Sequence, residues 1–200
     1  MTSLVVATQN PGKLKEMQHH LSSLPWDLQM MPRDLEVEET GETFFENACL
    51  KASQVAKQLG QWSIADDSGL SVLALDGAPG VYSARYGKDD ADRISRLLRE
   101  LGDTPNRAAQ FVCAIALANP NGEIVCHAEG ICPGEILTAP QGEGGFGYDP
   151  VFYVPEAGLS FAEMSKDQKR EVSHRGRAIA LLIPQLEHLG FTTIRNSTPA

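Results

Sequence analysis

Strand and helix signals alternate along most of this chain, and this alternation limits the possible folds more than any other feature. A short apolar run at 3–7 predicts a strand, and apolar residues spaced three and four apart predict a helix over 12–24. A longer helix is predicted over 43–60, where Gly60 is a typical stop signal. Such alternation is typical of an α/β fold, in which helices flank a sheet.

The pattern then changes, because two predicted strands follow each other with only a turn between them. Residues 108–118 and 123–132 are apolar or alternating, and the Asn119-Pro120-Asn121-Gly122 segment that joins them is typical of a hairpin. A hairpin after alternating strands and helices predicts a mixed central sheet with flanking helices. The other predicted segments are a strand at 27–31, a loop over 32–42, a strand at 63–65 that ends in an Asp66-Asp67-Ser68-Gly69 turn, a strand leaving that turn at 70–75, a helix over 89–101, an irregular Gly-rich segment over 138–150, a helix over 174–189 kinked at Pro184, and a frayed tail at 196–200.

Composition and charge exclude several classes of protein. The 200 residues suffice for one domain or for one domain with two lobes. No apolar run reaches the roughly 18 residues that span a bilayer, and the N-terminus lacks the pattern of a signal peptide. The four cysteines have the spacing of neither a zinc site nor a disulfide framework, which predicts reduced thiols in a cytoplasmic protein. A formal net charge of −9 argues against a nucleic-acid partner but permits a small anion screened by Mg²⁺.

The turn between the first predicted strand and helix has the residues of an anion site. Asn10 can cap the helix, and Pro11 suits its first position. Gly12 lets a ligand approach the backbone, where a helix start offers free N–H groups and a positive dipole end. Thr8 adds a neutral donor and Lys13 adds charge. The alternative is a capped helix that binds nothing.

Four acidic residues are candidate ligands for a divalent cation. Asp66 and Asp67 close a predicted strand, and Glu38 and Glu39 lie in the acidic loop before the second helix. Mg²⁺ prefers oxygen ligands, and one or two carboxylates with substrate phosphates complete its shell. Asp67 with one of the two glutamates fits this requirement. The alternative is a polar turn and a solvated loop.

Two further side chains are candidates for substrate contact. Lys51 lies on the margin of the apolar stripe of the second helix, from where it can reach a binding site or remain on the surface. Phe146 lies between glycines, and an aromatic ring in an open loop can stack on a base. The alternative for Phe146 is a buried position in a hairpin loop.

A basic cluster of Lys169, His174 and Arg175 lies near the end of the chain. If Ser173 caps the last helix, His174 and Arg175 fall in its first turn, where cations oppose the helix dipole. Local conflicts of this kind often mark functional residues. The alternative is a surface cluster paired with nearby glutamates.

Six segments in this order resemble the inosine triphosphate pyrophosphatase (Ham1-like) family. They are T-x-N-x-G-K beginning at Thr8, then EETGETFFENACLKA, IADDSGL, GAPGVYSARY, GEGGFGYDPVF and SHRGRA. The resemblance covers about residues 4–190, and Gln9 stands where the family often has glycine. It implies an elongated α/β fold over 1–195, with two lobes around a nucleotide-binding cleft and usually in a homodimer.

The resemblance also implies a reaction. Deaminated purine nucleoside triphosphates (dITP, ITP, dXTP and XTP) would be hydrolysed with Mg²⁺ to the monophosphate and pyrophosphate, which clears them before they enter DNA or RNA. Asp67 would accept the proton of the attacking water, and Glu38 and Asp67 would bind Mg²⁺. The residues implied to bind substrate are Thr8, Gln9, Asn10, Pro11, Gly12, Lys13, Lys51, Ser68, Phe146, Gly147, Tyr148, Asp149, Lys169, His174 and Arg175.

Three other functions remain open at the level of the sequence. The first is a catalytically silent nucleotide sensor. The second is a dimeric interaction protein that uses Gly80-Val81-Tyr82-Ser83 as its interface. The third is a nucleotide pyrophosphatase that prefers modified pyrimidines.

Overall fold

The computed structural model describes residues 2–22 and 24–191, which form strands and helices in alternation. The predicted tail at 196–200 lies outside the described residues. No helix in the described ranges has the length and apolar character needed to cross a membrane. The elements are β1 (Thr2–Val6), α1 (Pro11–His20), β2 (Trp26–Met30), α2 (Phe44–Leu59), β3 (Trp62–Val72), α3 (Asp90–Leu101), β4 (Ala108–Ala118), β5 (Ile124–Ile136), β6 (Phe152–Val154), β7 (Leu159–Ser160), α4 (Lys166–Val172) and α5 (His174–His188), with short 3₁₀ segments at Leu73–Leu75, Gly80–Arg85 and Asp149–Val151.

The strands form one mixed sheet in the order β2-β1-β3-β4-β5-β6-β7. β1 pairs in parallel with β2 and β3, because a helix connects each of these strands to the next along the chain. β6 pairs antiparallel with β5 and with β7. The predicted α/β fold with a mixed central sheet and flanking helices is confirmed.

The chain divides into two compact units, each with its own apolar core. Among the described residues, the first unit contains those up to 66, then 114–128 and 178–191, and the second contains 67–113 and 129–177. In the first core, Ala48, Ala52 and Val55 of α2 pack against small residues of the strands, because small side chains let a helix approach a sheet closely. In the second core, Phe111, Phe152 and Phe161 are packed together.

One prediction about the centre of the sheet is wrong. Asp66-Asp67-Ser68-Gly69 is not a turn, because β3 runs unbroken from Trp62 to Val72. Asp, Ser and Gly favour turns, but this segment lies inside a long and mostly buried strand, and burial overrides the local preference. Asp66 and Asp67 are both buried inside the strand.

Helix boundaries follow the capping residues. Thr43 and Glu46 form a capping box at the start of α2, and Gly60 ends the helix in a left-handed conformation. The predicted helix over 12–24 is too long, because α1 ends at His20 and the Leu21 N–H closes its last turn on Met17. The hairpin turn is confirmed by the bond from Gly122 N to Asn119 O at 2.8 Å.

Candidate active site

The turn before α1 is built as predicted, but its backbone donors are already used. Asn10 Oδ1 accepts from Gly12 N at 2.8 Å and from Lys13 N at 3.4 Å, and Pro11 is the first helical residue. Asn10 N donates to Thr8 Oγ1 at 3.1 Å, which fixes the cap. The expectation of free N–H groups at Gly12 and Lys13 is therefore not met. The groups that can still attract an anion are the side chains of the turn and the positive end of the α1 dipole.

Gln9 does more than supply backbone to this turn. Its side-chain amide lies 3.3 Å from the carbonyl of Arg33 and 3.4 Å from that of Leu35. Both carbonyls belong to the loop after β2. Gln9 therefore ties the turn before α1 to that loop, a contact that a glycine cannot make.

Lys13 forms an ion pair with Asp66 across the first unit. The two atoms, Lys13 Nζ and Asp66 Oδ2, are 3.3 Å apart, and the Asp66 side chain is 0% exposed. A carboxylate buried to this degree is tolerated only with a cation or donors beside it. Asp66 therefore holds the Lys13 ammonium next to the turn.

Lys51 is buried, so the alternative of a surface position for this residue is wrong. Its Nζ lies 2.8 Å from Glu39 Oε1 in the loop before α2. Asn47, one turn earlier, accepts from Gly41 N at 2.8 Å and holds the same loop against the helix. Glu38, the implied metal ligand, is exposed and belongs to the first unit, whereas Asp67 belongs to the second.

The acidic side chains of the site are the candidate ligands for the implied Mg²⁺. In the described ranges, no three His, Cys, Asp or Glu residues are grouped as a metal site. Mg²⁺ does not require three, because it keeps several waters and takes phosphate oxygens from a substrate. Carboxylates such as Asp67 and Glu38 are the hard oxygen donors that this ion prefers, so the residue types fit.

In the second unit, two members of the basic cluster, His174 and Arg175, are buried rather than on the surface. Arg175 donates from Nη2 to Ser68 Oγ on β3 at 3.2 Å. The His174 ring stacks on Phe111, with centroids 4.6 Å apart and planes inclined by 11°. Ser173 Oγ accepts from Gly176 N at 3.1 Å, so the predicted cap of the last helix is confirmed. The alternative of a surface cluster is wrong, because His174 and Arg175 are both buried.

The Gly-rich segment, residues 142–149, brings three of the predicted substrate residues together. Asp149 Oδ2 accepts from Phe146 N at 2.8 Å and lies 2.6 Å from Lys169 Nζ. The same ammonium lies 5.1 Å from the centre of the Phe146 ring, within range of a cation–π contact. Gly145 has φ +75°, and a Cβ there would overlap the Asp149 carboxylate, so only glycine fits.

Two further contacts anchor this segment to other parts of the second unit. Tyr148 is buried, and its hydroxyl donates to the carbonyl of Ser83 at 2.9 Å. Burial raises the pKa of Tyr148 above its usual value, so the phenol stays protonated and remains a donor. Gly147 N donates to Asp90 Oδ2 at 2.8 Å. No local pattern signals either contact, because both partners lie more than 50 residues away along the chain.

Comparison with known proteins gives one consistent result. The model of the Ham1 family matches residues 4–185. A dITP/XTP pyrophosphatase of Nostoc sp. is 64% identical over 183 residues, which are 92% of this chain and 93% of the relative. A dITP/XTP pyrophosphatase of Synechocystis sp. is 57% identical over 96% of this chain and 98% of its own. The solved structure of the Staphylococcus aureus Ham1 protein superposes with a TM-score of 0.82, at 44% identity, over 95% of this chain and all of its own.

Proposed function

Because the chain belongs to the Ham1 family, we propose that it hydrolyses deaminated purine nucleoside triphosphates to the monophosphate and pyrophosphate. The substrates are dITP, ITP, dXTP and XTP, and their removal keeps deaminated purines out of DNA and RNA. The observation that supports this best is the buried pair Asp66 and Asp67, with Lys13 bound to the first of them. A cation beside adjacent carboxylates suits a reaction that binds a polyanion and takes a proton from water.

The triphosphate binds at the turn Thr8–Lys13. Lys13 supplies the positive charge and is held in place by Asp66. Thr8 and Asn10 supply neutral polar groups, and the start of α1 supplies the positive end of its dipole. These groups stabilise the charge that develops on the departing pyrophosphate. Lys51 adds a second ammonium from α2.

Asp67 is the general base in this proposal. The water that attacks the α-phosphorus must lose a proton, and a carboxylate within hydrogen-bond reach accepts it. Glu38 and Asp67 would hold Mg²⁺, which polarises phosphate oxygens and neutralises their charge when bound. Glu39 forms an ion pair with Lys51, so Glu38 is the better ligand of the two glutamates.

Selection of the purine base of the substrate depends on which groups donate hydrogen bonds and which accept them. Arg175 is fixed by its bond to Ser68, and a guanidinium donor suits the 6-keto group of hypoxanthine or xanthine. Adenine presents a 6-amino donor at that position, which would leave donors facing each other and unpaired. Phe146 stacks on the base, supported by Lys169 and Asp149. Guanine shares the 6-keto group, so rejection of dGTP depends on a pocket that does not accept its 2-amino group.

We also propose that the protein is a homodimer in the cytoplasm. Leu73 and Tyr82 are large apolar side chains of the second unit that are 67% and 64% exposed, and exposed apolar groups of this size often mark an interface. Tyr82 lies in the Gly80–Arg85 segment. All four cysteines are free thiols, which suits a reducing compartment. A Tyr82→Asp variant that sediments as a monomer, beside a dimeric parent protein, would support this interface.

The direct test is turnover of a nucleotide panel. The purified protein is incubated with Mg²⁺ and dITP, XTP, dGTP, dATP or dUTP, and kcat/KM is measured for each. We expect kcat/KM for dITP and XTP to be at least about a hundredfold higher than for dGTP, dATP and dUTP. Preference for dUTP would favour the pyrimidine-specific alternative. Binding without turnover would favour the sensor, and no nucleotide-induced rise in Tm would favour the interaction protein.

A further inference from the structure

The first residue of α3 contacts the Gly-rich segment that carries Phe146. Asp90 Oδ2 accepts from Gly147 N at 2.8 Å, and Asp90 Oδ1 lies 2.6 Å from Arg93 Nη1 on the same helix. One carboxylate therefore joins the start of α3 to the middle of the segment. All three residues belong to the second unit.

The segment needs such anchors because its backbone is permissive. Gly145 and Gly147 have φ of +75° and +62°, a region open to glycine, and glycines lose more conformational entropy on ordering than other residues do. Three consecutive residues are held by hydrogen bonds: Asp149 accepts from Phe146 N within the segment, and from outside it Asp90 accepts from Gly147 N and the Ser83 carbonyl accepts from the Tyr148 hydroxyl. Of these three contacts, the one to Asp90 fixes the backbone directly after the Phe146 ring.

Asp90 is not the cap of its helix. Asp89 is the N-cap, and its Oδ1 accepts from Asp92 N at 2.8 Å. The Asp90 side chain is 48% exposed, so its removal leaves no buried cavity. The neighbouring aspartates therefore separate two roles: Asp89 supports the helix, and Asp90 supports the Gly-rich segment.

We propose that Asp90 is a positioning residue for purine binding, which holds the backbone of 146–149 in the conformation that receives the base. The inference rests on the proposed function, since it assigns the base to this segment. Without this hydrogen bond, only a fraction of the free protein has the binding-competent conformation, and the apparent affinity falls to that fraction of its intrinsic value. The groups at the phosphates are unchanged, so KM rises while kcat stays the same.

The test compares neighbouring aspartates on one helix. Asp90→Ala is expected to raise KM for dITP about tenfold, the loss of one charge-assisted hydrogen bond, with kcat within about twofold of the parent value. Asp89→Ala, the matched control, is expected to lower Tm and leave KM unchanged. Asp90→Asn keeps an oxygen that can accept from Gly147 N, so it is expected to recover most of the lost affinity.

A second readout does not depend on activity. Amide hydrogen exchange of the peptide that contains Gly147 is expected to be at least about tenfold faster in Asp90→Ala than in the parent and in Asp89→Ala. An unchanged KM in Asp90→Ala, or an equal rise in Asp89→Ala, would overturn the proposal. If the parent protein does not hydrolyse dITP, the proposed function fails, and the exchange rates still decide whether Asp90 anchors the segment.

Discussion

Removal of the Asp149 carboxylate is expected to destabilise the protein, because Asp149 forms a buried ion pair with Lys169. The side chains are only 5% and 13% exposed, and the two charged atoms are 2.6 Å apart. Asp149→Ala leaves the ammonium largely excluded from water without this partner, and also removes the acceptor of Phe146 N. Breaking a buried pair in this way costs about 3–5 kcal/mol, and partial exposure of Lys169 places our expectation near about 3 kcal/mol.

A double-mutant cycle separates the pair from its surroundings. Urea unfolding at pH 7 would be measured for the parent protein, Asp149→Ala, Lys169→Met and the double variant. The double variant lacks both charges of the pair, so its loss of unfolding free energy should be smaller than the sum of the two single losses by about 1.5 kcal/mol or more. For a chain of this length, a loss of about 3 kcal/mol lowers Tm by roughly 6–12 °C.

This reasoning would be refuted if the losses of unfolding free energy in the two single variants simply added up in the double variant. If each single variant lost less than about 1 kcal/mol and the double variant lost their sum, the two groups would not form a desolvated pair in solution. The support that we assign to Phe146 through Asp149 would then be lost as well.

Three further predictions concern the chemistry of the site and of the thiols. Asp67→Asn should lower kcat for dITP by at least about a hundredfold, while calorimetry still detects nucleotide binding. If the variant turned over dITP as fast as the parent protein, Asp66 would become the candidate for the general base. Arg175→Ala should raise KM for dITP about tenfold or more and narrow the difference between dITP and dATP; a fall in kcat at constant KM would instead place Arg175 at the phosphates. Burial raises the pKa of Cys126 and Cys132 to about 11, so little thiolate forms at pH 8. A thiol reagent should therefore modify both cysteines far more slowly in the folded protein than in the urea-unfolded chain, and equal rates of modification would contradict their burial.

Local signals in the sequence predicted most of the fold. The helix over 89–101 and the strand over 108–118 match α3 and β4 closely, because the apolar spacing that predicts them is a local feature. The Asp66–Gly69 segment was mispredicted, since its residues favour a turn when read alone. The burial of this segment inside a long strand is a property of the whole sheet, which no window of the sequence contains. The short helix α4 was missed, although its capping box of Ser165 and Gln168 is a local signal.

The residue types of the candidate site were predictable, but their partners were not. The cap formed by Asn10 was visible because its contacts lie within three residues. The pair of Lys169 with Asp149 spans 20 residues, and the contact of Arg175 with Ser68 spans 107. Such pairs depend on which strands and helices become neighbours, so the sequence pointed to the charged groups without showing what holds them.

The position of bond cleavage is the most direct test of the central claim. The protein is incubated with dITP and Mg²⁺ in water enriched in oxygen-18, and the products are analysed by mass spectrometry. Attack of water on the α-phosphorus puts one labelled oxygen in the deoxyinosine monophosphate and none in the pyrophosphate, and this is the result we predict. Label in the pyrophosphate would contradict the proposed attack at the α-phosphorus. Release of deoxyinosine diphosphate and inorganic phosphate would contradict it as well.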